Sequence, residues 1–157
     1  DQISINSVLE SIDLSDNSLT NIDVSQNLNL SQIRVGRNNL TGIDLSKNSE
    51  LGSLELYGNQ ITTIDLTANL KLRQLFMENN LLTDLDLLQN TELVSLNIEN
   101  NNISQMISFI CDQAVLNSTT FGYIDFQNNP GTNLIDQTTL AKINELGLDY
   151  DWTFNNN

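Results

Sequence analysis

Apolar residues recur along the chain with a spacing of 21 residues, beginning at Leu9. Each unit reads L-x-x-L-x-L-x-x-N-x-L, where leucine is exchangeable with Ile, Val or Met, and the pattern occurs five times without a gap. Its leading residues are Leu9, Leu30, Leu51, Leu72 and Leu93. Apolar residues at every second position predict a short β-strand. Too few residues remain in each unit for a helix of ordinary length.

The second half of each unit is a shorter copy of the first. It follows a T-x-I-D-L-S-x-N pattern at residues 20–27, 41–48, 62–69 and 83–90. A single coil could not bury its own apolar face, so neighbouring coils must cover it. The pattern therefore predicts a mainly β solenoid with two short parallel sheets, one on each side of stacked leucines.

The repeat resembles that of the leucine-rich-repeat family. More narrowly, the T-x-I-D-L-S-x-N half resembles the nested 21-residue class of secreted and surface proteins of Bacteroidetes-type bacteria. The resemblance covers residues 1–106 and extends to the segment from Gly122 to Thr132. It implies an interaction module at the cell surface or in the secreted space, and it implies no reaction.

The period is interrupted after Asn101, which divides the chain into two predicted regions. Residues 1–106 hold five 21-residue repeats and a partial first unit, and residues 107–157 are predicted to be a C-terminal cap. The cap includes one repeat of the 28-residue type, whose pattern residues are Phe121, Ile124, Phe126 and Asn129.

Two helices and a last strand complete the predicted cap, which makes it a small α/β element. Helical apolar spacing occurs at residues 106–115 and 136–146, and strand alternation occurs at 148–154. At the other end the chain begins in mid-repeat. We expect that it is cut from a longer protein or, alternatively, that a partner covers its first edge.

The charge balance restricts the classes of partner. Six basic and twenty acidic residues give a net charge of −14, which argues against nucleic acid and against an anionic membrane surface. Insertion in a membrane is not expected, because no segment approaches the roughly 18 consecutive apolar residues of a membrane helix. The chain has no histidine and a single cysteine. It therefore lacks the commonest general base, has no intrachain disulfide, and shows no triad or phosphate-loop motif. We expect a non-enzymatic protein without a cofactor.

Outward positions of the first predicted sheet vary from repeat to repeat, whereas those of the second are monotonous. Positions that vary are free to serve a specific ligand. Arginines and aromatics are common interface anchors, so we predict a ligand-binding site formed by Arg34, Arg37, Glu55, Tyr57, Phe76 and Glu78. A second interpretation is cross-strand charge pairing of Asp13, Arg34 and Glu55, which stabilises a sheet and binds nothing.

Two regular rows need their own interpretation. The aspartate row consists of Asp23, Asp44, Asp65 and Asp86. Its carboxylates either accept hydrogen bonds from nearby backbone and hydroxyl groups or line up a cation such as calcium; we favour the first interpretation and no metal. The asparagine rows are predicted to satisfy backbone groups of adjacent coils.

The sequence therefore predicts a secreted or cell-surface binding module of bacterial type that recognises a protein or a glycoconjugate. Two alternatives remain. One is a structural spacer or repeat array of a larger surface protein, and the other is a carbohydrate-binding accessory domain.

Overall fold

The computed structural model describes residues 8–103, 123–125 and 127–130. These residues form a solenoid with one six-stranded parallel sheet, in which each strand pairs with the next strand of the chain. The strands are β1 (Ser11–Asp13), β2 (Gln32–Arg34), β3 (Ser53–Glu55), β4 (Gln74–Phe76), β5 (Ser95–Asn97) and β6 (Tyr123–Asp125).

The register of the sheet follows the 21-residue period. Ile33 of β2 lies beside Leu54 of β3, and Leu54 lies beside Leu75 of β4. The middle residue of each of these strands is buried, because side chains alternate between the two faces of a strand. The first and third residues of β1 to β5 therefore share the opposite face, which we call the strand face.

The core is a stack of apolar rows, as the periodicity predicts. Leu30, Leu51 and Leu72 are fully buried in one row, and the T-x-I-D-L half supplies further rows that include Leu45 and Leu66. Both halves of each unit contribute to one continuous apolar cluster. Each coil is thus covered by its neighbours, which is the origin of solenoid stability.

The predicted second sheet is wrong for the described residues, where the T-x-I-D-L segments form no strands beyond an isolated bridge at Asp23. The reason is local competition for backbone groups. The backbone N–H of Ser46, which a ladder would use, donates to Oδ1 of Asp44 (2.9 Å). The carbonyl of Leu45 accepts from the backbone N–H of Asn48 (3.0 Å). Turns therefore replace strands on this side.

The first asparagine row, after the strands, joins adjacent coils as predicted. The Asn59 Nδ2 group donates to the carbonyls of Val35 (3.0 Å) and Leu56 (2.9 Å), and its Oδ1 accepts from the backbone N–H of Leu40 (3.0 Å). The same arrangement recurs at Asn38, Asn80 and Asn101. Each side chain thereby satisfies buried backbone groups of two coils.

The second asparagine row differs from the first in the hydrogen bonds of Asn48 and Asn69. The Asn69 Nδ2 group donates to the carbonyls of Leu45 (3.2 Å) and Asn48 (2.9 Å). The Oδ1 atoms of Asn48 and Asn69 are buried without a hydrogen-bond partner among the described residues. The two rows are therefore energetically different, although the sequence makes them look alike.

The 28-residue unit adds one strand to the sheet. Asp125 of β6 lies beside Asn97 of β5, and Oδ1 of Asn129 accepts from the backbone N–H of Ile103 (3.0 Å). Asn129 thus takes the place of a first-row asparagine. The predicted helices at 106–115 and 136–146, the last strand at 148–154 and the beginning of the chain lie outside the described residues.

Candidate binding face

Three consecutive coils bring the six predicted site residues together. Arg34 and Arg37 belong to the coil of β2, Glu55 and Tyr57 to that of β3, and Phe76 and Glu78 to that of β4. Glu55 is the register partner of both Arg34 and Phe76. Neighbouring strands are about 4.8 Å apart, so these residues of adjacent coils lie side by side. We call the six residues the central patch. Arg34, Glu55 and Phe76 lie on the strand face, and Arg37, Tyr57 and Glu78 follow the strands in sequence.

An ion pair joins two residues of the central patch, Arg34 and Glu55. Nε of Arg34 donates to Oε1 of Glu55 at 2.9 Å, and both side chains are partly exposed. This hydrogen bond, followed by the attraction to Glu55, raises the pKa of Arg34 above its ordinary value. The pairing interpretation correctly anticipates this contact, but Asp13 instead accepts a hydrogen bond from the backbone N–H of Ser15 (3.1 Å).

Tyr57 is held between a glycine and an arginine. Its ring lies so close to Gly36 that a β-carbon there would be 2.5 Å from Cε1 and Cζ. The guanidinium carbon of Arg37 is 5.5 Å from the ring centroid, within the range of a cation–π contact. Nη1 of Arg37 also donates to Oδ1 of Asp16 (3.2 Å). Residues from the coils of β1 and β2 therefore position the ring of Tyr57, which belongs to the coil of β3.

Arg37 adopts a left-handed backbone conformation, with φ of 52°. The equivalent positions of other coils have the same conformation and carry residues that accept it more easily, such as Gly58 and Asn79. A long arginine side chain is an unfavourable choice for this backbone. Its presence is not explained by the repeat, and residues in strained conformations concentrate at functional sites.

Replacing Gly36 by alanine should move the Tyr57 ring without removing it. The new methyl group would occupy space that the ring now fills, and a half-exposed side chain can rotate away. We expect a changed Tyr57 fluorescence and near-ultraviolet circular dichroism, with a free energy of unfolding lowered by about 1–2 kcal/mol. Gly42→Ala is the matched control, because a β-carbon at Gly42 meets no atom within 4 Å. Equal spectra for both variants would contradict this packing.

Glu78 is a partly buried carboxylate in an acidic environment. Its Oε2 atom is buried and has no hydrogen-bond partner among the described residues. Burial raises the pKa of Glu78 above its ordinary value of 4.5; a backbone hydrogen bond lowers it, and the charges of Glu99, Glu55 and Asp125 raise it further. The ionised form is thus disfavoured in the folded protein.

Glu78→Gln should therefore stabilise the protein at neutral pH. Because the pKa is raised on folding, the ionised carboxylate destabilises the folded state above that pKa, and this effect disappears as the pH falls below about 4.5. We expect a higher Tm than that of the parent protein at pH 7 and a difference that shrinks towards pH 4. Glu10→Gln removes the same charge from an exposed side chain. An equal gain from both variants would show that only net charge matters.

The aspartate row caps turns, as the structural interpretation predicts. Oδ1 of Asp23 accepts from the backbone N–H of Ser25 (2.9 Å), and the same contact recurs at Asp44, Asp65 and Asp86. Hydrogen bonds from the residue two positions on lower the pKa of Asp23, Asp44 and Asp65 below 3.8. Within residues 8–103, 123–125 and 127–130, no three His, Cys, Asp or Glu side chains converge on a possible metal position.

The predicted binding site did not include one row of residues on the strand face. This row contains the first residue of each of the strands β1 to β5 and reads Ser11, Gln32, Ser53, Gln74 and Ser95 along the sheet. A cavity of about 470 Å³ lies along this row, around Ser53. The alternation of short and long polar side chains along this row is the sequence signal that could have revealed the cavity.

No family model and no curated protein matches the sequence. Solved structures do match. An internalin (inlF) from Listeria monocytogenes is 26% identical with a TM-score of 0.66, over 80% of this chain and 35% of its own. The functional domain of InlJ from Listeria monocytogenes, which includes a cysteine ladder, is 26% identical with a TM-score of 0.51, over 87% of this chain and 38% of its own.

A third similar structure shows the fold alone. The leucine-rich-repeat protein LIC12759 of Leptospira interrogans is 19% identical with a TM-score of 0.57, over 90% of this chain and 49% of its own. The chain thus spans less than half the length of each of these proteins. It is a β-solenoid with coils of about 21 residues whose structural neighbours are leucine-rich-repeat proteins. The Bacteroidetes-type resemblance stays a prediction.

Among the residues that the structure describes, no helix has the length and apolar character needed to cross a bilayer.

Proposed function

We propose that this chain is a non-enzymatic module that binds a protein partner through the central patch, at a bacterial cell surface or in the secreted space. The single observation that carries the proposal is the positioned Tyr57 ring, which is packed on Gly36 and covered by Arg37. Among the residues that the structure describes, this arrangement occurs in one place of an otherwise periodic surface. Stacking of the coils alone would favour the same residues in every repeat, and this arrangement departs from that pattern.

The chemistry of the central patch suits an interface. Tyr57 and Phe76 are half-buried aromatics on adjacent coils, and aromatic and arginine side chains contribute most of the energy of many interfaces. The partly exposed Arg34–Glu55 pair supplies polar groups beside them. Likeness to two internalins of Listeria monocytogenes, at 26% identity, supports a binding rather than a catalytic role.

The test uses the chain with a photo-crosslinking residue at Gln74, an exposed position of β4 on the same face as Phe76, to capture surface proteins. A captured protein is then purified, and its affinity is measured for the parent chain and for Tyr57→Ala/Phe76→Ala. We expect this double variant to bind at least tenfold more weakly than the parent chain, equivalent to about 1.4 kcal/mol.

The control is a double variant of two exposed leucines on the turn side, Leu70→Ala/Leu88→Ala, whose side chains are as apolar but lie off the strand face. It should bind as the parent chain does. Two results would overturn the proposal: capture of no protein at all, which a spacer predicts, and equal losses in both double variants.

A further inference from the structure

Charges are unevenly distributed along the strand face and the residues that follow its strands. Arg34 and Arg37 are each paired with an acidic residue of the chain, at 2.9 Å and 3.2 Å. Glu78 and Glu99, in the coils of β4 and β5, form no ion pair within residues 8–103, 123–125 and 127–130. The cations on one side of Tyr57 are therefore neutralised by the chain itself, whereas the carboxylates on the other side are not.

The carboxylate of Glu99 is held in place by two side-chain amides. Its Oε1 atom accepts hydrogen bonds from Nδ2 of Asn100 (3.1 Å) and from Nδ2 of Asn128 (3.3 Å). Nδ2 of Asn128 also donates to Oδ1 of Asn100 (2.7 Å), so the two amides are joined to each other. Oε2 of Glu99 accepts no hydrogen bond from the described residues and, unlike Oε2 of Glu78, is not completely buried. One oxygen of a positioned carboxylate is thus accessible to a partner.

Glu78 adds negative charge beside Glu99, although its own Oε2 atom is buried and cannot be reached. Burial raises the pKa of Glu78, and the charges of Glu99, Glu55 and Asp125 raise it further, so these carboxylates act on one another. Arg73 is at the other end of the strand, because it precedes β4 whereas Glu78 follows it. A cation placed beside Glu99 would therefore reduce the repulsion within the whole group.

Phe76 provides a partly exposed apolar surface next to this carboxylate. It is the register partner of Asn97, which is two residues before Glu99 in the chain. Neighbouring strands are about 4.8 Å apart and two residues of extended chain span about 7 Å, so a long side chain packed on Phe76 can reach Glu99. Arg37 covers the Tyr57 ring at 5.5 Å, but no cation of the described residues covers the Phe76 ring.

We infer that the protein partner of the central patch presents a basic segment, in which an arginine packs on Phe76 and donates to Oε2 of Glu99. Arginine suits both contacts, because its guanidinium binds carboxylates and stacks on aromatic rings while its aliphatic stem packs on apolar surface. The net charge of −14 attracts such a segment from a distance. A partner of this kind presupposes the proposed function, on which this inference rests. A second copy of the chain does not fit, because both copies would bring negative charge to the contact.

The probe is the peptide acetyl-Gly-Arg-Gly-Arg-Gly-amide, which is titrated into the isotopically labelled chain while backbone amide resonances are followed by NMR. We expect saturable shifts at Phe76, Glu78 and Glu99. A peptide with citrulline in place of both arginines has nearly the same shape without the charge, and it should bind at least about tenfold more weakly. A peptide with lysine in place of both arginines keeps the charge and should also bind more weakly, because an ammonium group does not stack on a ring as a guanidinium does.

Glu99→Gln tests the carboxylate directly. The substitution removes the charge, while the new amide oxygen can still accept hydrogen bonds from Asn100 and Asn128. We expect it to bind the arginine peptide at least about fivefold more weakly than the parent chain does. Glu92→Gln removes the same charge from an exposed residue in the turn before β5, and it should bind as the parent chain does. Thermal unfolding of both variants checks that the fold is kept.

Five results would overturn the arginine contact. Three come from the peptides: no saturable shifts with the arginine peptide, equally tight binding of the citrulline peptide, and binding of the lysine peptide at least as tight. The fourth is an equal loss of binding in Glu99→Gln and Glu92→Gln, which would show that only net charge matters. The fifth is a dimer of the chain alone that Tyr57→Ala/Phe76→Ala dissociates in sedimentation velocity, which would identify a second copy as the occupant.

The captured protein separates this contact from the proposed function. A protein captured at Gln74 that binds the parent chain and Glu99→Gln equally well would overturn the arginine contact and leave the proposed function intact. Capture of no protein would overturn the proposed function, whatever the peptides do.

Discussion

Asn59→Ala should lower the free energy of unfolding by about 3–4 kcal/mol. The backbone N–H of Leu40 donates to Oδ1 of Asn59, and the substitution leaves this buried group without a partner. The carbonyls of Val35 and Leu56 each lose one hydrogen bond, although they keep another from Asn38 and Asn80 respectively. Urea denaturation followed by circular dichroism measures the change.

Asn69→Ala is the matched control from the second asparagine row. The carbonyls of Leu45 and Asn48 keep hydrogen bonds from backbone N–H groups, and no N–H depends on Oδ1 of Asn69. We expect a smaller loss of about 2 kcal/mol. Equal losses for the two variants would mean that the unpaired N–H of Leu40 does not dominate, which contradicts the distinction between the rows.

Leu54→Ala should lower the free energy of unfolding by about 3–5 kcal/mol. Leu54 is fully buried in the central strand β3, between Ile33 and Leu75 of the neighbouring coils. Truncation leaves a cavity that close-packed neighbours fill only in part. Because each coil contacts only the next ones, the loss weakens both interfaces of the coil.

Leu70→Ala is the corresponding exposed control, since Leu70 is 53% exposed in a turn. We expect a loss below about 1 kcal/mol. Denaturation curves of the two variants should differ in midpoint while the parent and Leu70→Ala nearly coincide. A small effect at Leu54 would show that the core is not continuous through β3.

The spacing of apolar residues predicted most of the fold. It identified the coil length, the strand at each L-x-L segment and the inward residues of β1 to β5, because period-two alternation and a constant repeat leave one way to stack. The same spacing in the T-x-I-D-L half predicted a second sheet, and that prediction was wrong. There the Asp and Asn side chains take the backbone groups that a second ladder needs.

The sequence likewise predicted one part of the candidate site and missed another part. Variation between repeats drew attention to Arg34, Glu55, Tyr57 and Phe76, and the register does place them on neighbouring coils. No pattern could show that Tyr57 lies on Gly36, that Arg37 has a positive φ, or that Ser53 is buried without a partner. Those properties depend on the side chains of several coils at once.

For this protein, the sequence alone determined which residues stack, since a 21-residue period aligns equivalent positions of successive coils. The tertiary structure decided how each stacked row uses its hydrogen-bonding groups. An asparagine row can satisfy N–H groups or leave its oxygens unpaired, and an aspartate row can join a sheet or cap turns. The choice depends on distances between coils, which the order of residues does not specify.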